Sequence, residues 1–596
     1  MKTRHGLPYA IGLGAALALF IVSFSGCARE TPAAIIIQLT NAPGTLTINQ
    51  SVNLIANVGN DSTHAGVNWS CSGGACGTFS LSHTASGAAT VYTAPASPGT
   101  VTVTATATAD ATVKANINIS IVPLGSNSML NGPYVFSVQG VDGTGGYAAV
   151  GTIVADGDGH IMAGEQDYAN ESIQAGPDTL SGTYAIGPDG RGSITLDVNN
   201  ANLPGNGVET FSIAMTSATH AFIIQFDGSA NSSGSLDAQA ASALDPAAIS
   251  GAFAFTAQGV DIVSQVPLTH GGVLMMSASS GTITGGSYFE NDGGVTFQST
   301  TTGSVGVPDA FGRGALGLSV GVDFAYYAVQ GQVLRLIQTD VPSVMTGGSM
   351  VGQGDAGLNA TFSNAALSGD YVLSHAGGTA FGPLAMAGQF SADGAGNFAS
   401  GVADLNNAGL ATFASIAGQG RYAINSNGVG TLDLPPAVDQ RGSVSALLIF
   451  AVAPAINLFD PNSALGGGGA LVMDFDPGAV GSGYIVPRSA GVFDGNYAVN
   501  LQSVTAAGET DLAGQSVASG GSLTGTVDIN EGGLTSGGVS LTGSFTADAV
   551  NAGRWTATFT LNNATHQIRY YQVSGTLLVI VDVDAADVGI GILEKE

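Results

Sequence analysis

The sequence predicts an all-β protein: one β-sandwich followed by four tandem antiparallel β modules, each expected to close as a small eight-stranded barrel. Three observations predict it. Four stretches of 17 residues share one layout and end on aspartate: Phe211–Asp227, Phe324–Asp340, Val444–Asp460 and Ile568–Asp584. Their spacing of about 115 residues marks one module used four times, a period that fixes the architecture before any site is read. Apolar residues also alternate with small polar ones along short runs, the pattern of strands with one buried face. Composition agrees: 89 glycines without a Gly-X-Y period exclude collagen, and 9% charged against 44% apolar residues excludes charge-rich disorder.

The net charge of −29 excludes a nucleic-acid partner, which requires clustered lysine and arginine. The acids are scattered, as suits solubility and mutual repulsion. At the N-terminus Lys2 and Arg4 precede Ala10–Val22, an uncharged run too short to span a membrane and suited to a signal-peptide core. Phe24-Ser25-Gly26-Cys27 then resembles the lipobox of bacterial lipoproteins, with phenylalanine where leucine is usual. The resemblance implies a signal peptide over residues 1–27, acylation of Cys27, and the membrane as a partner through that lipid. Ala28, in place of aspartate, implies transfer to the outer membrane.

Residues 28–37 read as a tether and 38–123 as the sandwich. Alternation runs through Ser51–Val58, Val67–Cys71, Thr100–Ala105 and Ile117–Ile121. The Val67-Asn68-Trp69-Ser70 strand, the Tyr92-Thr93-Ala94-Pro95 turn and the closing Gly99–Thr106 strand resemble bacterial Ig-like domains. Cys71 and Cys76 lack the further ligands a zinc site needs, and in an exported chain they are expected to form a disulfide pinning one short loop.

The modules are expected at 130–239, 249–354, 367–474 and 493–596. Each opens on a similar strand, at Tyr134, Phe253, Tyr371 and Tyr497, and each 17-residue stretch reads as a hairpin. Eight antiparallel strands can close and so remove both exposed edges, a flat or sandwiched sheet being the alternative. A porin is excluded by the lack of aromatic girdles and by glycine and aspartate throughout the strands; a propeller is excluded by module length.

Asp227, Asp340, Asp460 and Asp584 recur at one position and are expected to be structural, closing a strand by Asx hydrogen bonds. Asp156-Gly157-Asp158-Gly159 lacks the later ligands of a calcium loop, so no metal is expected. His220 falls inside its stretch and His566 before its own, so the two are not equivalent. Arg191, Arg313 and Arg554 recur in three copies, with Val429 in the fourth, which points to strand-end packing or pairing. No catalytic motif is present, and no catalytic residue or cofactor is expected. The function expected is non-catalytic: binding, adhesion or a structural role in the cell envelope, with glycan or matrix components as partners. Linked modules would favour multivalent attachment. A small-ligand carrier using barrel-mouth pockets is the alternative.

Overall fold

Strands make up nearly every element of the structure, a computed structural model that describes residues 34–596 except 41, 74, 124, 341–342, 355–361 and 464–465. The expected signal peptide, Cys27 and most of the tether lie outside the described residues. The first module is a two-sheet sandwich. One sheet orders Ile36–Thr40, Ser51–Gly59, Ala89–Thr93 and Thr78–Phe79; the other orders Thr45–Thr47, Lys114–Val122, Gly99–Ala107, Val67–Gly73 and His83–Thr84. Alternate residues Val52, Leu54 and Ala56 meet Val101, Val103 and Ala105 around Trp69 and Tyr92. Trp69 Nε1 donates to Thr84 Oγ1 at 3.0 Å, so the one polar atom of the indole is satisfied inside the core. Cys71 and Cys76 form the expected disulfide just beyond this tryptophan.

The repeats form barrels. Modules 1 (Asn131–Asp142 through Ala230–Ala238) and 4 (Gly495–Thr505 through Asp587–Lys595) are closed eight-stranded barrels. In module 2 (Ser250–Asp261 through Val344–Gly352), strand Thr282–Asp292 pairs with Val266–Ser277 on one side and Gly303–Val305 on the other, which closes the ring of strands. Module 3 runs from Ser368–Thr379 to Ala479–Pro487, past the expected limit at residue 474. Its sheet meets edge to edge through the bridge between Asn397 and Arg421 and backbone bonds beside it, such as Tyr422 N to Gly396 O at 3.1 Å. The long strand Gln174–Ile186 of module 1 is broken in two in modules 2 and 3, which accounts for their ninth strand. Each barrel interior is filled by its own apolar cluster, such as Tyr134, Phe136, Ile213 and Ile223 in module 1.

The 17-residue stretches are hairpins in modules 1, 2 and 4, with Phe211 opposite Gln225, Phe324 opposite Gln338 and Ile568 opposite Asp582. Module 3 departs from the expectation. Strand Ala446–Ala451 ends before Pro454, which cannot donate to a ladder, and the chain returns only at Ala470–Asp474. Val444–Asp460 is therefore one strand and a loop, and Asp460 ends no strand.

The four barrels are joined in a closed ring. Module 1 lays Gly145–Asp156 on Val333–Gln338 and Val344–Gly352 of module 2, and module 2 lays Val266–Ser277 on Ala470–Asp474 and Ala479–Pro487 of module 3. Module 3 lays Gly382–Asp393 on Leu577–Asp582 and Asp587–Lys595 of module 4, and module 4 lays Gly508–Ser519 on Val208–Met215 and Ala230–Ala238 of module 1. The same heterologous contact thus repeats four times and closes with pseudo-fourfold symmetry. One apolar core runs between the barrels, with Val135 and Ala148 from module 1, Tyr327 and Ile337 from module 2, Val372 and Phe450 from module 3, and Val579 and Val581 from module 4. The hairpin strands are consequently buried on both faces: in module 4 Leu578 and Ile580 point into the barrel while Leu577, Val579 and Val581 point into the ring core.

Candidate binding sites along the ring axis

Polar groups at the joints repeat as regularly as the barrels. One backbone carbonyl at the end of each closing hairpin receives a side-chain amide from the preceding module. Gln174 donates to Gln338 O at 2.8 Å, Asn291 to Asp474 O at 3.2 Å, Asn406 to Asp582 O at 3.1 Å and Asn530 to Gln225 O at 2.8 Å. The recurrent arginines also cross joints. Arg313 grips Asp167 through Nε (2.5 Å) and Nη2 (2.9 Å), Arg554 grips Asp404 through Nε (2.6 Å) and Nη2 (2.8 Å), and Arg191 Nη1 reaches Asp528 at 3.0 Å. These are inter-module pairs, and they take the arginines out of any anion-binding role.

The recurrent aspartates divide. Asp227 Oδ2 accepts from Thr210 N at 2.7 Å while Oδ1 accepts from Ser229 N at 2.9 Å, tying the mouth of the hairpin and capping the next turn. Asp584 Oδ2 accepts from Gln567 N at 2.9 Å in the same way. Asp340 follows its strand at this place, with Oδ1 buried and without a hydrogen-bond partner. In module 3 the role belongs to Asp476, whose Oδ2 accepts from Ser445 N at 2.7 Å and Ala446 N at 2.6 Å. Asp460 lies instead in the loop that runs into the ring axis.

At the axis the strands approach closely. Gln502 Nε2 donates to Gln139 O (3.3 Å), Gln139 Nε2 donates to Gln258 O (3.2 Å), and Ser482 Oγ donates to Gln258 Oε1 (2.8 Å), so a polar belt links modules 4, 1, 2 and 3 in turn. A Cβ at Gly347 would stand 2.4 Å from Gln139 Nε2, so a larger residue there would displace the Gln139 amide from the belt. On one side of the belt a hollow of about 310 Å³ is lined by Tyr147, Pro267, Met345, Leu384, Glu509 and Val588. On the other lies a cavity of about 260 Å³, lined by Ser137, Arg335, Ser374, Tyr484, Asn500 and Ile592.

That second cavity carries a buried charge cluster drawn from all four modules. His220 Nδ1 lies 2.7 Å from Asp237 Oδ1, Arg335 Nη2 donates to Asp237 Oδ2 at 2.7 Å, and Glu594 Oε2 lies 3.4 Å from His220 Nε2. Asp460 completes a group with His220 and Asp237 whose ligand atoms lie within 4.8 Å of one another. Burial opposes a charge on His220, but Glu594, Asp460 and Asp237 outweigh it and raise its pKa to about 9. Burial likewise raises Glu594 to about 8 and raises Asp460. For Asp237 burial is overcome by Arg335 and His220, which lower it to about 2. A protonated His220 and Arg335 therefore face an ionised Asp237, and the cluster seals the axis rather than exposing a free base. Sequence comparison between copies hides this cluster, because its members come from four modules and stand at different positions in them.

Beyond the Asp460 loop the sandwich sits over this end of the ring, joined by Gln50 Nε2 to Thr219 Oγ1 at 2.7 Å. Between them opens a cleft of about 570 Å³. Its lining includes Asn53, Asn57, Thr219, Gln239, Gln330 and Asn462, with proline and alanine between them and, among the described residues, no charged side chain.

No protein-family model matches the chain, and no curated protein matches it. Among solved structures it is similar to Transferrin Binding Protein B from Haemophilus parasuis Hp5, at 11% identity over 63% of this chain and 82% of that one, with a TM-score of 0.17. It is also similar to intact Ap-TbpB, N and C lobes, at 8% identity over 95% of both chains with a TM-score of 0.12. A third is the alcaligin outer membrane receptor FauA from Bordetella pertussis, at 8% identity over 83% of this chain and 81% of that one, with a TM-score of 0.12. At such TM-scores the alignments carry no argument, and the reading of this chain rests on its own residues.

Proposed function

We propose that the protein is a non-catalytic, lipid-anchored component of the bacterial cell envelope that binds glycan in the cleft between its Ig-like sandwich and its barrel ring. The cleft's lining carries this reading. Amides and hydroxyls without charge are suited to sugar hydroxyls, which both donate and accept hydrogen bonds. The four barrels then serve as a rigid platform, and the expectation of four independent weak sites is replaced by one site per molecule. The partners of the histidines support a non-catalytic role: Asp156, Asp237, Asp474 and Asp582 for four of them, Tyr288 and Gln338 for His270, Asn68 and Thr108 for His83, with no serine or cysteine nucleophile among them. Filled barrel interiors count against a carrier with barrel-mouth pockets. Among the described residues no helix is long and apolar enough to cross a membrane, and the anchor proposed is the lipid on Cys27.

The test is retention of the mature chain, carried as a Cys27→Ser soluble form, on a panel of immobilised polysaccharides including peptidoglycan. Retention on at least one, lost on filling the cleft by Asn53→Trp, is expected. Passage through the whole panel, or retention unchanged by Asn53→Trp, would overturn the proposal.

A further inference from the structure

Where the closing hairpin of module 4 meets module 3, four ligand-type side chains converge. The register that sets Ile568 opposite Asp582 brings His566 beside the end of the hairpin. His566 Nδ1 then lies 3.5 Å from Asp582 Oδ2, 3.8 Å from Asp584 Oδ2 and 3.3 Å from Asp587 Oδ2. Charge-assisted N–H···O bonds are about 2.7–2.9 Å long, and one ring proton cannot serve three acceptors. The ligand atoms of His566, Asp582 and Asp584 lie instead within 4.8 Å of one another, a spacing that one shared ion can bridge. Metal–ligand bonds of about 2.0–2.2 Å place neighbouring ligand atoms roughly 3.3–3.6 Å apart.

A second observation is independent of the clustering. Asp582 is 0% exposed and its Oδ2 has no hydrogen-bond partner; Asp587 is 6% exposed and its Oδ1 also has none. Buried carboxylate oxygens that accept no hydrogen bond are costly, and a cation bound among them removes that cost. The neighbouring module meanwhile orients the ligands. Asn406 Nδ2 donates to the backbone carbonyls of Asp582 (3.1 Å), Asp584 (2.8 Å) and Asp587 (2.9 Å), so the loop that carries all three carboxylates is held by module 3. Partial exposure of the side chains of His566 and Asp584 leaves an approach from solvent.

We propose that His566, Asp582 and Asp584 form a zinc site beside the joint between modules 3 and 4, with Asp587 flanking it. An imidazole with carboxylates is a mixed nitrogen and oxygen set suited to Zn²⁺, whereas Ca²⁺ takes oxygen ligands.

The soluble mature chain, stripped with chelator and titrated with zinc chloride alone, tests this by calorimetry and thermal unfolding. One zinc per chain and a rise in Tm are expected. Asp582→Asn and His566→Gln should each weaken uptake at least tenfold and remove the Tm response, while His160→Ala, at the exposed His160–Asp156 pair of module 1, keeps both. Co²⁺ in place of zinc should show the visible absorption of a tetrahedral site, lost in the same two variants. If Asp582→Asn does not fold, His566→Gln decides. Absence of saturable uptake, or uptake undiminished in the folded variants, would overturn the proposal.

Discussion

Arg191, Arg313 and Arg554 recur because each reaches an aspartate of the module before it in the ring, and the joint that lacks the arginine lacks the aspartate as well. At the joint of modules 2 and 3, Val429 lies opposite Phe450, and Phe450 meets Phe289 with ring centroids 5.8 Å apart. Three joints thus use an ion pair, buried on both sides at Arg554–Asp404 and half-buried at the other two, where the fourth uses apolar packing. Removing one partner of a buried pair typically costs about 3–5 kcal/mol, while replacing the whole set by apolar residues is often neutral. Asp404→Asn should therefore destabilise the chain by about 3 kcal/mol in urea unfolding. The triple change Asp404→Phe, Arg554→Val and Tyr571→Phe, which copies the module 2–3 joint and also removes the hydroxyl bonded to Asp404, should recover most of that loss. Equal destabilisation by both would contradict this view of the joints. The arginine series is legible in the sequence; its partners are not, because Asp167, Asp404 and Asp528 stand in strands that the sequence pattern aligns only loosely.

The closing hairpins are the most recognisable elements in the sequence for a physical reason: buried on both faces, they cannot alternate apolar with polar residues. In beads on a string their outward residues would face water. In the ring, Val579→Ala should cost about 2 kcal/mol, comparable to an inward-facing substitution. A stability change within a few tenths, measured by the same unfolding experiment, would place that face in solvent. The same logic shows where sequence reading fails. Val444–Asp460 has the apolar layout of the other hairpins, but Pro454 stops its strand and Asp476 takes over the closing role. His566 precedes its stretch and for that reason looks unrelated to Asp584, yet the two ends of a hairpin are neighbours across the strands.

At the scale of the molecule, ring closure gathers carboxyls into the joints and the axis. Burial at the axis raises Glu509 to about 7 and Glu594 to about 8, from an ordinary 4.5, and burial inside the barrel of module 1 beside Gln166 raises Glu209 to about 7. The stability linked to these groups is fully present below their ordinary pKa and is lost as pH rises through 7–8. His220, raised from 6.5 to about 9, acts in the same direction at higher pH. Asp237, lowered from 3.8 to about 2, contributes above its ordinary value and is lost in strong acid. Tm should accordingly peak near about pH 5 and decline through neutrality, and a Tm that rises from pH 5 to pH 8 would contradict the burial of these groups. The all-β class, the sandwich and the barrel modules were legible from periodicity and repeat length. Ring closure was not, since alternation within one module carries no information about which outward face meets another; only the glycines within strands hinted at close approach.

The contact between modules 1 and 4 separates a ring from a chain of barrels, because these two modules are far apart in sequence. Gly228 and Gly533 meet there, with Ser229 and Leu534 beside them. The soluble form has no free thiol once Cys71 and Cys76 are paired, so Ser229→Cys and Leu534→Cys provide a unique pair. Treatment of dilute protein with a short bismaleimide should join them rapidly within one chain, giving a looped monomer on denaturing gels. Two singly modified thiols and no intramolecular product, in a folded protein, would contradict the closed ring.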